Sequence, residues 1–307
     1  MTFTVVIPLY NKVHQIAATL QSVQQQVFTD YRVIIIDDGS TDGSLEIVQH
    51  YLARNTVFAE RVLLVRQDNQ GVAAARNKGI HLCETEWVAF LDADDLWKPE
   101  YLAIQYGLIL KYPACNICGT GYEMKWSVTK IRPVKLNKLP FDSPDGLLDN
   151  YFEVAACSDP PLSSISVVIR KSALLGIGGF PMGVKVGEDL LTWARLALAN
   201  YIAYSTSIAA VFLKDSHSFN ADQQHRIPET EDVVGKELIA LYQLHKDTPG
   251  LKKYAGLWYK MRTHIYLARG MRTHAIAEWR KSIAQYPFNG KTWFFLFLIL
   301  FPFKVIK

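Results

Sequence analysis

Trp87-Val88-Ala89-Phe90-Leu91-Asp92-Ala93-Asp94-Asp95 reads as a buried strand that delivers three carboxylates to one point. In an extended strand, alternation places Asp92 and Asp94 on one face and turns Asp95 away. Like charges this close repel unless a cation or a set of donors sits among them. Hard divalent cations take oxygen ligands, typically one or two carboxylates plus substrate phosphates. The pattern predicts a metal–diphosphate site at the carboxyl end of a strand. An acidic turn capping a following helix is the other reading these residues allow.

The preceding sequence alternates strand and helix. Residues 4–8, 32–38, 61–65 and 87–91 read as strands, and 32–38 is almost continuously apolar, as in a strand buried on both faces. Helices are expected over 13–26, 44–53 and 71–82. Four strands joined by helical crossovers imply a parallel, twisted α/β sheet with helices on both faces, and such sheets bind ligands beyond their carboxyl strand ends. The polar residues collect there: Pro8-Leu9-Tyr10-Asn11, Asp37-Asp38, Asn69-Gln70-Gly71 with Arg76-Asn77, and the acids 92–95. Tyr10 is placed to stack on a flat base or to be a rim aromatic. Asp38 is placed to accept from a base N–H, or, like Asp42, to hold a turn or helix cap. Arg76 is placed to neutralise phosphate or to pair with an acid.

Composition sets the bounds. The chain has 307 residues, half of them hydrophobic and a fifth charged, which fits one large α/β domain with appendages or two domains. Met1-Thr2-Phe3 runs straight into a strand pattern, so no signal peptide is expected. Cys83, Cys115, Cys118 and Cys157 form no disulfide framework, and Cys115-Asn116-Ile117-Cys118 has no second pair or His at zinc spacing. Reduced thiols and a cytosolic location follow. Residues 246–307 hold 12 Lys and Arg against two acids, leaving 21 basic and 27 acidic residues in 1–245. A basic tail suits an anionic surface. This tail is also strongly apolar, which favours lipid over nucleic acid.

The motifs together resemble the family 2 glycosyltransferases, inverting enzymes of the GT-A fold, a Rossmann-like mixed sheet flanked by helices. The resemblance rests on Val6-Ile7-Pro8-Leu9-Tyr10-Asn11, Asp37-Asp38-Gly39-Ser40-Thr41-Asp42, residues 69–77 and Leu91-Asp92-Ala93-Asp94-Asp95. It resumes at 163–171, Gly178-Gly179-Phe180 and 187–196, in the family's order. It implies a nucleotide-sugar-binding half over 1–105, an acceptor-binding half over 106–225 and a helical extension over 226–307. It implies that Pro8, Tyr10 and Asp38 hold the nucleoside, usually uridine, with Arg76 nearby. Asp92 and Asp94 match the DxD signature. Asp94 or Asp95 would contact a divalent cation (Mn²⁺ or Mg²⁺), and Asp92 or Asp94 the ribose. Glu188-Asp189 matches an acidic pair before a helix, with Asp189 as catalytic base. His217, or Asp215 in its place, lies where some relatives contact metal or phosphate. Trp193 reads as core more than as a sugar platform. Trp126, Tyr151, Phe152 and Asp159, in the variable middle, either meet a sugar or pack under a loop.

After Pro228, helices are expected over 229–245, 251–269 and 273–286, with Thr273 as a cap and Gly270 and Pro287 as stops. Residues 293–303 are apolar between Lys291 and Lys304. Eleven residues make a helix of about 16 Å, against a hydrocarbon core of about 30 Å. Such a segment dips into one leaflet or packs on protein, and peripheral contact with the cytoplasmic face of a membrane is the expectation. The functional expectation is an inverting transferase acting on a glycan or lipid-linked acceptor in envelope polysaccharide synthesis. A non-catalytic nucleotide-sugar scaffold is the alternative. A nucleotidyltransferase or a dehydrogenase would want glycines after strand one, and residues 8–11 have none.

Overall fold

The computed structural model describes residues 1–214, 229 and 231–300. The first ninety residues follow the expected alternation: β1 (Phe3–Leu9), α1 (Ile16–Gln24), β2 (Tyr31–Asp37), α2 (Ser44–Arg54), the short α3 (Thr56–Ala59), β3 (Val62–Arg66), α4 (Val72–Leu82) and β4 (Trp87–Phe90). β1 pairs in parallel with β2 and β4, and β2 with β3.

The second half makes the sheet mixed. It comprises β5 (Leu96–Trp97), α5 (Tyr101–Lys111), β6 (Ile117–Lys125), β7 (Ile131–Pro133), β8 (Asp145–Leu147), α6 (Tyr151–Cys157), β9 (Val167–Arg170), α7 (Lys171–Gly176), α8 (Glu188–Ala199) and β10 (Ile202–Leu213). β9 runs antiparallel between β4 and β6, and β6 and β10 are parallel. The order is β3-β2-β1-β4-β9-β6-β10-β5, with β7 on β6 and β8 on β10.

Both faces of this sheet are covered, which is why β1 is buried at every position. Alternation divides its side chains: Val6 packs in one core with Val88 and Phe90, while Phe3, Val5, Ile7 and Leu9 pack in the other with Trp87, Ala89 and Leu91. Helix α4 lies close on β1 because Gly79 faces it; a Cβ there would sit 2.3 Å from Val6 Cγ1. Cys83, Cys115 and Cys118 are buried free thiols, and Cys157 is an exposed one.

The extension folds as α9 (Val233–Leu244), α10 (Leu251–Ala268), α11 (Arg272–Gln285) and α12 (Gly290–Leu300). It is not a separate lobe. Leu251, Tyr254, Ala255 and Trp258 of α10 share one core with Tyr151 and Phe152 of α6 and with Leu191 and Trp193 of α8. Thr273 does not cap α11: the cap position is Met271, and Thr273 lies inside the first turn. Helix α12 packs Trp293 on Trp279 and Phe295 on His264, yet leaves Trp293, Phe294, Phe297 and Leu300 substantially exposed. Among the described residues, no helix is long and apolar enough to cross a membrane.

Candidate active site

The site forms where β1, β2 and β4 end side by side. Pro8 is buried opposite Ile36, and the chain then turns so that Tyr10 is 46% exposed at the rim. Asn11, at φ 51°, ties this turn to the one after β2: its N–H donates to Ser40 Oγ (3.1 Å), and its Oδ1 accepts from Thr41 N–H (2.9 Å). Asp42 accepts from Val13 N–H and Ser44 N–H, so it holds a turn. Asp38 is buried and builds the next wall. Its Oδ1 accepts from Gln67 Nε2 (2.7 Å) and Gln70 N–H (2.9 Å), and its Oδ2 from Gly71 N–H (2.8 Å). These bonds fix the loop that enters α4.

The three acids after β4 do not follow strand alternation. The strand stops at Phe90, and residues 92–95 turn, closed by Asp95 N–H on Asp92 O (3.0 Å). Each carboxylate therefore meets a different partner. Asp92 accepts from Arg76 Nη2 (2.7 Å) and Ser164 Oγ (2.8 Å). Asp94, partly exposed, pairs with Lys12 Nζ at 2.9 Å. Asp95 is 2% exposed and accepts from Leu213 N–H (2.8 Å), which ties β10 to the site. Burial, then the charges of Asp94 and Asp92, push its carboxyl well above the usual carboxylate range.

Arg76, 3% exposed on α4, joins the two acidic stretches. Its Nη1 lies 3.2 Å from Glu188 Oε1 while Nη2 holds Asp92, and the guanidinium sits 5.1 Å from the Phe180 ring centroid. Burial disfavours its charge, but Asp92 and Glu188 outweigh that and raise its pKa. Arg76 thus makes the ion pair with acids that its sequence allowed.

Glu188 and Asp189 open α8 behind Gly187, where acidic charge suits the helix dipole. Asp189 Oδ1 accepts from Leu190 N–H (2.7 Å). Among the described residues it has no ion-pair partner, and it is partly exposed. Tyr122, Tyr151 and Tyr254 lie within reach of its field: burial first, and Asp189 further down the order, raise all three phenols, which stay protonated.

Several other candidates are engaged within the protein. Tyr151, Phe152 and Trp193 are core residues, Trp193 packing edge-on to Phe180. Asp159 pairs with Arg132 (2.7 Å), and Trp126 stays exposed with Lys130 over its ring. Asp215 and His217 lie outside the described residues. Lys12 and Ser164 escaped sequence reading. In the parallel register of β1 with β4, Val6 stands opposite Phe90, so the chain leaving β1 runs past the acids, and Lys12 meets Asp94 there.

Among the described residues, no cluster of three acidic, His or Cys side chains could hold a metal by itself. The residues present do fit a hard cation shared with phosphate. Asp94 offers a partly exposed carboxylate at the crevice, and such cations need only one or two protein carboxylates beside substrate oxygens. Asp95 is already engaged with Leu213.

The family model described as Glycosyl transferase family 2 matches residues 4–162. The putative teichuronic acid biosynthesis glycosyltransferase TuaG of Bacillus subtilis (strain 168) is 31% identical over 203 residues, 66% of this chain and 74% of TuaG. Glycosyltransferase GlyA of Streptococcus pneumoniae serotype 4 is 32% identical over 124 residues, which is 40% of this chain but only 17% of GlyA. S. aureus TarS 1-349 in complex with UDP-GlcNAc aligns with a TM-score of 0.59 over 94% of this chain and 92% of that one, at 20% identity. The mannosyltransferase PcManGT from Pyrobaculum calidifontis, in complex with GDP-Man and Mn²⁺, aligns with a TM-score of 0.59 over 98% and 81%, also at 20% identity. These two structures speak to the fold, a GT-A-like mixed sheet. The family match spans the ends of β1, β2 and β4 and the loops after them, TuaG extends the likeness into the second half, and the chain belongs to glycosyl transferase family 2.

Proposed function

We propose that this glycosyltransferase moves a sugar from a nucleoside diphosphate donor, first a UDP-sugar, to a hydroxyl of a glycan or lipid-linked acceptor in envelope polysaccharide synthesis, with inversion at the anomeric carbon. The observation that carries the mechanism is the Arg76 bridge. It brings Asp92-Ala93-Asp94 and Glu188-Asp189 into one crevice and neutralises one acid of each. Asp94 and Asp189 remain for substrate.

Tyr10 offers its exposed ring to the base and the buried Asp38 fixes the loop that, with Pro8, would wall the nucleoside, while Asp92 would meet the ribose. Asp94 would hold the cation with the donor's phosphates, and Asp95 serves the fold next to it. A divalent cation bound there supplies charge stabilisation for the departing diphosphate. Asp189 takes the proton of the acceptor hydroxyl as its oxygen bonds to the anomeric carbon, while the bond from that carbon to the diphosphate oxygen breaks on the opposite face. One base suffices for a single displacement, unlike the carboxylate pair of glycosidases. UDP is supported by the UDP-GlcNAc complex of TarS, and envelope polysaccharide by the name of TuaG. Peripheral contact with the cytoplasmic face of a membrane is supported by the exposed aromatics of α12 within a basic extension.

The test is a transfer assay over UDP-, GDP-, dTDP- and CDP-sugars with and without Mn²⁺. Asp189→Asn is expected to keep donor affinity and lose transfer by about 10²–10⁴-fold. Near-normal transfer by that variant would remove Asp189 from the role of base.

A further inference from the structure

The loop that carries Asp189 is gripped from behind by the C-terminal extension, which lies beyond the residues the family model matches. Gly187, at φ 87°, directly precedes the acidic pair. A Cβ at this position would lie 2.3 Å from Trp258 Cζ3 and 2.6 Å from Cη2, so the indole occupies the space that any other residue would fill. Only glycine satisfies both that dihedral and that contact. Trp258 is fully buried and anchored in turn: its Nε1–H donates to Asp232 Oδ1 (2.9 Å), the residue that caps α9 through Gly235 N–H.

One helical turn earlier, on the same face of α10, Tyr254 reaches the other side of the acidic pair. Its buried hydroxyl donates to Leu190 O at 2.9 Å and lies 3.4 Å from Tyr151 Oη of α6. Tyr151 and Phe152 pack against the Tyr254 ring at centroid distances of 5.9 and 5.4 Å. Asp189 thus sits between two residues held by one helix, Gly187 by packing and Leu190 by a hydrogen bond. The proton stays on Tyr254, whose burial and nearby negative charge both disfavour a phenolate, so the hydroxyl remains a donor.

We propose that Tyr254 and Trp258 are positioning residues for glycosyl transfer: they fix the turn from Gly187 to Leu190 so that the Asp189 carboxylate faces the acceptor hydroxyl. The C-terminal extension is then a working part of the active site. This rests on the reading of Asp189 as the base. A displaced base costs rate without costing donor affinity, because the donor is held by the strand ends on the other side of Arg76.

The test uses Tyr254→Phe and Trp258→Phe in the full-length chain, with UDP-GlcNAc and Mn²⁺ as the probe donor, water as the acceptor whose proton Asp189 takes, and single-turnover release of UDP as the readout. Tyr254→Phe removes one oxygen and keeps the ring. The expected result is unchanged donor affinity with a rate about tenfold lower. In an Asp189→Asn background, adding Tyr254→Phe should lower the residual rate no further, because both changes act through one group. A lowered melting temperature with an unchanged rate would overturn the proposal, as would a full additional loss in the Asp189→Asn background. If Trp258→Phe melts too low to assay, Tyr254→Phe decides alone. A near-normal rate for Asp189→Asn by itself would instead overturn the base assignment, so the two failures are distinguishable.

Discussion

Arg76→Met tests the electrostatic frame of the site. Methionine approximates the length of the stem and its packing on Phe180, and removes only the charge and the donors. The guanidinium is 2.7 Å from Asp92 and 3.2 Å from Glu188, whose side chains are 24% and 13% exposed. Breaking a buried ion pair costs about 3–5 kcal/mol, because the surviving charge has no compensation. Two acids would survive here, but both keep some contact with solvent, so about 3 kcal/mol is the expected loss. At about 2–4 °C per kcal/mol for large domains, the melting temperature should fall by about 6–12 °C at pH 7. The pH dependence carries the sign. Without the guanidinium, the two carboxylates should bind protons more tightly in the folded variant than in the folded wild type, while both share an unfolded reference of about 4. A raised folded pKa means stability that is present below that unfolded value and lost as pH rises through the folded one. The gap to the wild type should therefore be narrower near pH 4.5 than at pH 7.5. Thermal melts of both proteins across that range measure it. A constant gap, or one under about 2 °C at pH 7.5, would refute the argument that Arg76 holds two acids in charge balance.

Asp95→Asn keeps an acceptor for Leu213 N–H and deletes a charge that burial disfavours; with the folded pKa raised, the wild-type carboxylate loses stability as pH rises. The variant should match the wild type in melting near pH 4.5 and equal or exceed it at pH 7.5, and a clear drop at pH 7.5 would contradict the raised pKa. Asp94→Asn should abolish the Mn²⁺-dependent thermal shift with UDP that Asp95→Asn retains; equal shifts in both variants would move the cation elsewhere. The full chain is expected to sediment with vesicles containing anionic lipid and to stay in solution when Phe294→Glu and Phe297→Glu are combined; equal sedimentation would make the exposed face of α12 irrelevant to lipid.

The first ninety residues were legible because their strands are covered on both faces, so each reads as a short apolar run with polar residues at one end. Observed boundaries at β1, β2 and β3 lie within a residue or so of those read from pattern alone. The antiparallel half was not legible in the same way. β5 has two residues, β7 and β8 three each, and the partners of β5 and β8 lie far off in sequence, as when Leu96 pairs with Val211. So short a segment shows no period. Alternation failed at residues 92–95 because it holds only while the chain is extended, and Asp95 N–H closes a turn instead. Thr273 looked like a cap, but the helix already starts at Arg272, one residue after Met271, so side-chain chemistry alone did not place its start. Ser164, Tyr254 and Trp258 act through contacts that no local pattern encodes.

The two acidic stretches divide their labour by partner rather than by residue type. Each contributes adjacent carboxyl groups, and in each Arg76 takes one member: Asp92 from the first, Glu188 from the second. The members left, Asp94 and Asp189, differ again. Lys12 stands against Asp94, whereas among the described residues no cation pairs with Asp189. The same contrast bears on donor binding. Asp92, Asp94, Glu188 and Asp189 bring four negative charges, and Arg76 and Lys12 return two. A nucleoside diphosphate approaching this crevice adds more negative charge to an excess already present. In the proposed reading a divalent cation at Asp94 answers that imbalance. Removing Lys12 should then leave cation-dependent donor binding in place, whereas removing Asp94 should not.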